Sequence, residues 1–200
     1  PRWTQDWFPR LDGALAYVLA RERKPSRIVE IGSGHSTRFF ARAIVDGGLP
    51  TRHIAIDPAP RAALAGLSVD WRRATLQDAP REIFDTLAPG DFLFVDSSHI
   101  LVPGSDVDIV VADLLPRLPA GVLVHFHDVL LPDGYPPQWG WRVYNEQCAV
   151  AALLAGGAFR PVWASHYAAT RLAAEIARAG LDRLPLPQGA VEASLWLTRA

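Results

Sequence analysis

Methionine is missing from this sequence, and lysine and cysteine each occur once. The single cysteine, Cys148, cannot close an internal disulfide. That excludes a stapled secreted miniprotein and points to a reducing, cytoplasmic setting. Lys24 is the only lysine among 20 basic residues. This arginine preference, with abundant alanine, suggests a GC-rich bacterial genome. A formal net charge of −1 leaves no basic footprint for nucleic acid. No apolar run reaches the ~20 residues of a spanning helix, and Pro1–Arg10 lacks the apolar core of a secretory leader, so no membrane partner is expected. Because even position 1 lacks methionine, the chain is expected to begin inside a longer one. What remains is a globular balance: 200 residues, 50% hydrophobic and 20% charged. A chain of this length buries roughly 70% of its unfolded surface, which suffices for one domain with its own core.

Strand-like and helix-like segments alternate along it. Strand-like segments at Arg27–Ile31, His53–Ile56, Val69–Ala74, Asp91–Val95 and Gly121–Phe126 predict five strands. Helical patterns at Ser36–Val45, Pro60–Leu67, Pro80–Leu87 and Asp106–Leu118 lie between them. Such alternation implies right-handed βαβ units and a doubly wound, mostly parallel α/β sheet with helices on both faces. Most of the strand segments read as continuous apolar runs, as strands covered on both faces do. After Asp128 comes a loop rich in Pro, Gly and aromatic residues, Leu130–Trp141. A helix at Arg142–Leu154, a strand at Phe159–Trp163, a helix at Ala168–Ala179 and a strand at Ala193–Thr198 follow. Residues 1–26, led by Trp3, Trp7 and Phe8, read as a helical cover over a main domain of residues 27–200.

Acidic residues recur where strands end: Asp57, Asp96 and Asp128, with Glu30 just before a glycine turn. Open α/β sheets bind ligands outside the carboxyl ends of their strands, so these residues are expected on one rim. In Glu30-Ile31-Gly32-Ser33-Gly34 the glycines allow close backbone approach, and the following helix offers free N–H groups. Thr37 occupies the third small position of a dinucleotide fingerprint, which leaves that match incomplete. The carboxylate of Glu30 suits a cationic or amino-bearing ligand; the other reading is a buried acid beneath a tight turn. Asp57 is placed to accept from ribose hydroxyls, in NAD and adenosyl ligands alike, or to cap a helix. Leu76 and Asp78 offer an adenine contact, or Asp78 is a plain cap.

The motif Glu30-x-Gly32-x-Gly34, with Asp57 and Asp96, resembles class I S-adenosylmethionine-dependent methyltransferases from about Arg27 to Ala200. The resemblance implies a Rossmann-like seven-stranded sheet whose last strand is antiparallel. S-adenosylmethionine is the implied cofactor, held by Glu30, Gly32, Gly34, Asp57, Asp78 and Asp96. Gly32→Val is then expected to abolish binding in a folded protein. Asp96-Ser97-Ser98-His99 and His127-Asp128 resemble the small O-methyltransferases that include macrocin-type sugar enzymes and, more distantly, catechol-type ones. By that resemblance His99 is the base, with Asp96 beside it. Asp96 and Asp128 would hold Mg²⁺ or another divalent cation between adjacent strand ends. His127 stands where those relatives carry another acidic or amide ligand; it would orient Asp128 or favour a softer metal such as Zn²⁺.

The implied reaction is O-methylation of a small-molecule or sugar hydroxyl. An NAD(P)-binding oxidoreductase and a non-catalytic cofactor-binding scaffold are the alternatives. Tyr135, Trp139, Trp141 and Tyr144 are expected to wall the acceptor pocket from a mobile loop. His125 and Cys148 read as core residues and His53 as surface. A homodimer is left open.

Overall fold

The computed structural model describes residues 1–200. After a non-helical start, α1 (Arg10–Arg23) leads into β1 (Arg27–Ile31), the glycine turn and α2 (His35–Gly47). Then come β2 (Arg52–Ile56), β3 (Asp70–Arg72), α3 (Glu82–Asp85) and β4 (Phe92–Val95). The next helix comprises α4 (Asp106–Ile109), a π turn over Val110–Leu114, and α5 (Leu115–Arg117). After it come β5 (Leu123–Phe126), a 3₁₀ segment at Pro137–Arg142, and α6 (Glu146–Ala155). The chain closes with β6 (Phe159–Ala164), α7 (Ser165–Arg171), α8 (Ala173–Arg178) and β7 (Leu195–Arg199).

The seven strands lie in the order β3-β2-β1-β4-β5-β7-β6, with β7 antiparallel to both of its neighbours. Ile31 is level with Ile56 and with Val95, and Val95 with Phe126. The residues that follow these four strand ends, Gly32, Asp57, Asp96 and His127, therefore share one rim. The sheet is buried on both faces. Val29, Ile54, Leu93 and Val124 pack under α3, α5 and α6 on one side. Ile28, Phe92, Phe94 and Trp196 pack under α1 and α2 on the other. No helix is long and apolar enough to cross a membrane.

Several local expectations change. Pro60–Leu67 forms turns in place of a helix, and β3 is shorter than Val69–Ala74. The expected Ala168–Ala179 helix is two, broken at Leu172, whose φ −122° and ψ 34° leave the helical region. Cys148 is exposed on α6, not core. His53 is buried, not surface.

Candidate active site

Two cavities open on the rim. The first, of about 380 Å³, runs past Gly32, Asp57, Leu76 and Gln77 to Ser98 and Asp106. The second, of about 130 Å³, lies over His127, Asp128, Trp139 and Arg142, with Trp7 and Phe8 from the N-terminal segment. Ser33, Arg61 and Asp96 line both, so the cavities meet at the end of β4.

The glycine turn is shaped by its neighbours. Gly32 has φ +84°, and a Cβ there would lie 1.8 Å from the carbonyl oxygen of Asp96. Asp57 Oδ2 accepts from Ser33 N at 2.7 Å and Ser33 Oγ at 2.9 Å, and its Oδ1 accepts from Ala59 N at 2.7 Å. Thr37 is fully buried and its Oγ1 accepts from Gly34 N at 3.0 Å. The residue that breaks the dinucleotide fingerprint is thus a brace for the turn.

Glu30 sits beneath the cradle, not in it. It is 0% exposed and lines neither cavity. Ser36 Oγ donates to its Oε2 at 2.7 Å and His53 Nε2 to its Oε1 at 2.6 Å. A buried carboxylate needs such partners, and these tie α2 and β2 to β1. Asp78 also departs from expectation: it accepts from Thr75 Oγ1 on the surface and lines neither cavity, where Leu76 and Gln77 do. The remaining donor set of the first cavity fits an adenosyl ligand. A rim carboxylate faces the cleft, apolar Ile31, Ile56 and Leu76 stand beside it, and Gln77 and Ser33 supply polar ends.

At the junction the charges are dense. His99 Nε2 lies 3.3 Å from Asp96 Oδ1 and 3.6 Å from Asp128 Oδ2, while His99 Nδ1 meets Glu146 Oε2 at 3.0 Å. His127 Nδ1 lies 3.6 Å from Asp96 Oδ1 and 3.6 Å from Asp128 Oδ1; its Nε2 meets Asp12 Oδ2 at 3.3 Å. Burial disfavours the charged form of His99. Its hydrogen bonds to Asp96 and Glu146 outweigh that and raise its pKa to about 10. Burial likewise opposes ionisation of Asp96, but His127 and His99 hold it well below the usual carboxylate range. His127 is raised well above its ordinary value by Asp96, Asp128 and Asp12, against its own burial. The stability that His99 contributes is therefore complete below about pH 6.5, its unfolded pKa, and is lost as pH rises through about 10.

His99 and Asp128 have φ +60° and +53°, left-handed backbone that only a few non-glycine residues adopt. At His99 the cost is offset locally, because its carbonyl accepts from Asn145 N and Glu146 N at the start of α6. Sequence reasoning missed Asp12 and Glu146. Asp12, fully buried on α1, also accepts from Ala193 N and Ser194 N and so ties the segment leading into β7 to the site. The amphipathic pattern of α1 carries a signal for it, an aspartate among core-facing positions. His125 is a core residue as expected, stacked on Phe94 at 3.8 Å and bonded to Ser194 Oγ.

A family model for the methyltransferase domain matches residues 29–129, which span the glycine turn, the rim acids and the end of β5. The chain belongs to the methyltransferase-domain family. It is a class I S-adenosylmethionine-dependent methyltransferase. No curated protein matches it in sequence. Among solved structures it is similar to SAH-bound methyltransferase PaMTH1 of Podospora anserina, at 18% identity and TM-score 0.57, over 96% of this chain and 79% of that one. It is similar to an O-methyltransferase of Bacillus cereus in complex with SAH, at 15% and 0.55, over 94% and 80%. The O-methyltransferase TomG of Streptomyces achromogenes, involved in tomaymycin synthesis and in complex with SAM, stands at 18% and 0.52, over 94% and 79%. At these identities the likeness is one of fold. Membership of the family sets aside the oxidoreductase reading.

The expected divalent cation meets a different donor set in this methyltransferase. Asp96 and Asp128 each face two imidazoles, and Arg142 Nη1 lies 3.4 Å from Asp128 Oδ2. Protein cations thus stand where two neighbouring carboxylates need them. No group of three or more His, Cys, Asp or Glu side chains is disposed to hold a metal ion. Mg²⁺ needs only one or two carboxylates, with water in its other positions, but both carboxylates here are already engaged by His99, His127 and Arg142, so the residues present do not fit it. Methyl transfer is accordingly expected to keep its full rate in EDTA and to gain nothing from added Mg²⁺. A rate that collapses in EDTA and returns with Mg²⁺ contradicts this.

Proposed function

We propose that this methyltransferase methylates a hydroxyl oxygen of a small polar acceptor, a sugar or similar polyhydroxylated ring, bound in the second cavity. The observation that carries the reading is the meeting of the two cavities at Asp96, with Asp128 and His127 beside it on the acceptor side. In this reading Asp57 accepts from ribose hydroxyls, Gly32 and Gly34 shape the turn beside the cofactor, and Leu76 and Gln77 flank the base. When bound, the cofactor supplies an electrophilic methyl group on a sulfonium.

The chain must then align the acceptor and take its proton. Asp96 is the group we assign to that task. Its low basicity is no obstacle, because a hydroxyl proton becomes strongly acidic as the oxygen forms its new bond. His99 lies behind Asp96, lines neither cavity and has both ring nitrogens engaged. It therefore serves better as the positioning residue that keeps Asp96 ionised than as the base read from the sequence. His127 and Arg142 pair with Asp96 and Asp128 on the wall of the acceptor cavity, a polar and charge-balanced lining that suits a neutral hydroxyl. Trp7 and Trp139 offer indole rings among polar groups, the match for a ring with hydroxyl edges and an apolar face.

The wall that carries Trp139 is tied down. Gln147 Oε1 accepts from Leu130 N at 2.6 Å and its Nε2 donates to Asp133 O at 2.9 Å. Arg171 makes a two-pronged pair with the Asp133 carboxylate, which His166 also meets at 2.8 Å. Incubation of the enzyme with cofactor carrying a carbon-13 methyl group and a panel of sugars, phenols and amines tests the reading. A methoxy carbon signal in the product by NMR is the expected result. Product methylated only on nitrogen or sulfur overturns it.

A further inference from the structure

Arg61 has no assigned role, and its surroundings are unusual for a cation at this rim. It lines both cavities. The other charged cations on the cavity walls are opposed by acids: His127 by Asp12, Asp96 and Asp128, and Arg142 by Asp128. Arg61 forms no hydrogen bond and no ion pair. Asp6 lines the same cavity but lies beyond ion-pair distance. The Arg61 guanidinium instead rests on the Trp7 ring, 4.4 Å from its centre. A guanidinium stacked in this way keeps its N–H edge free for a planar oxyanion. The residue also sits directly over the glycine turn: a Cβ placed on Gly34 would be 3.6 Å from Arg61 Cβ.

Position identifies the anion. The nucleoside side of the first cavity is marked by Asp57 and Leu76, and the acceptor side of the second by Asp128 and Trp139. S-adenosylmethionine carries one carboxylate, on the amino-acid end, which branches from the same sulfur as the methyl group. A ligand that spans the junction therefore brings that carboxylate close to it. The acid read from the sequence as a partner for the amino-acid end, Glu30, is sealed beneath the turn with both oxygens occupied. Arg61 is the free, complementary charge at that place.

We propose that Arg61, braced on Trp7, binds the carboxylate of the cofactor's amino-acid end, which makes the N-terminal segment part of the cofactor site. Trp7 is 48% exposed, and its ring carries the guanidinium.

Calorimetric titration of the whole chain with two probes tests the assignment. S-adenosylhomocysteine retains the amino-acid end; 5′-methylthioadenosine keeps the adenosine and thioether but has neither carboxylate nor amine. Arg61→Gln is expected to weaken S-adenosylhomocysteine about tenfold, as the loss of one charged hydrogen-bonding partner does. Its affinity for methylthioadenosine should be unchanged. Trp7→Ala should show the same selectivity with a smaller loss, and Arg61→Lys should recover part of the affinity, since charge is kept and the planar fork is not. Because Arg61 has no hydrogen bond or ion pair to lose and its contact with the half-exposed Trp7 ring lies at the surface, circular dichroism and the melting temperature should stay close to the parent's. Undiminished S-adenosylhomocysteine binding in Arg61→Gln overturns the proposal, and so does an equal loss for both probes. The O-methylation reading does not enter this test, because neither probe carries an acceptor.

Discussion

Asp96→Asn is expected to lower kcat by about a thousandfold, the middle of the range for losing a positioned proton acceptor. The amide has the shape of the carboxylate but cannot take the proton. Asp96 is the one acid that lines both cavities, with 31% of its side chain exposed toward them. The change also removes a negative charge 3.3 Å from His99 Nε2 and 3.6 Å from His127 Nδ1. The pKa of His99, now about 10, should fall as a result, which histidine NMR signals followed against pH would report. S-adenosylhomocysteine affinity should change far less than kcat, because Asp57 and the glycine turn are untouched. Transfer rates measured with radiolabelled methyl groups decide the matter. A variant that keeps most of its kcat would remove Asp96 from the chemistry and return His99 or Asp128 to consideration.

The second large effect falls on stability. Gly32→Ala is expected to cost about 3–4 kcal/mol, in the range of strained backbone combined with steric overlap. The φ of +84° already disfavours any side chain. The added Cβ would lie 1.8 Å from Asp96 O and 2.8 Å from Asp96 C, which are backbone atoms with no rotamer to change. Nor can the strands part easily. Gly32 N donates to Ile56 O, and Asp96 N to Ile31 O, each at 2.9 Å. The sequence-based expectation that Gly32→Val leaves a folded protein therefore gives way to one in which β1 and β4 are forced apart at the rim. Urea denaturation measures this directly. Gly134→Ala is the control, since its φ lies outside the left-handed range and its Cβ meets nothing within 4 Å. Equal midpoints for the two variants would show that the close approach of Asp96 to Gly32 is relaxed in solution.

The rhythm of apolar runs and turns determined the βαβ order, and the antiparallel strand near the C-terminus came with the family resemblance. The rim acids were readable for a local reason. A residue one or two positions past the end of a strand in a parallel sheet stands at its carboxyl edge, so Asp57, Asp96 and Asp128 were placed by their neighbours in sequence alone. Glu30 was misplaced because it lies inside β1, where the face a side chain takes is settled by what packs there; Ser36 and His53 close over it. Pro60–Leu67 looked helical by composition, yet it runs as turns that bring Arg61 over the glycine turn. The counter-charges of the site came from far along the chain. Asp12 meets His127 from 115 positions away, and Glu146 meets His99 from 47. Only tertiary structure decides such pairings. A buried charge is tolerated where an opposite one arrives within hydrogen-bond reach, and which segment supplies it depends on how α1 and α6 pack against the sheet.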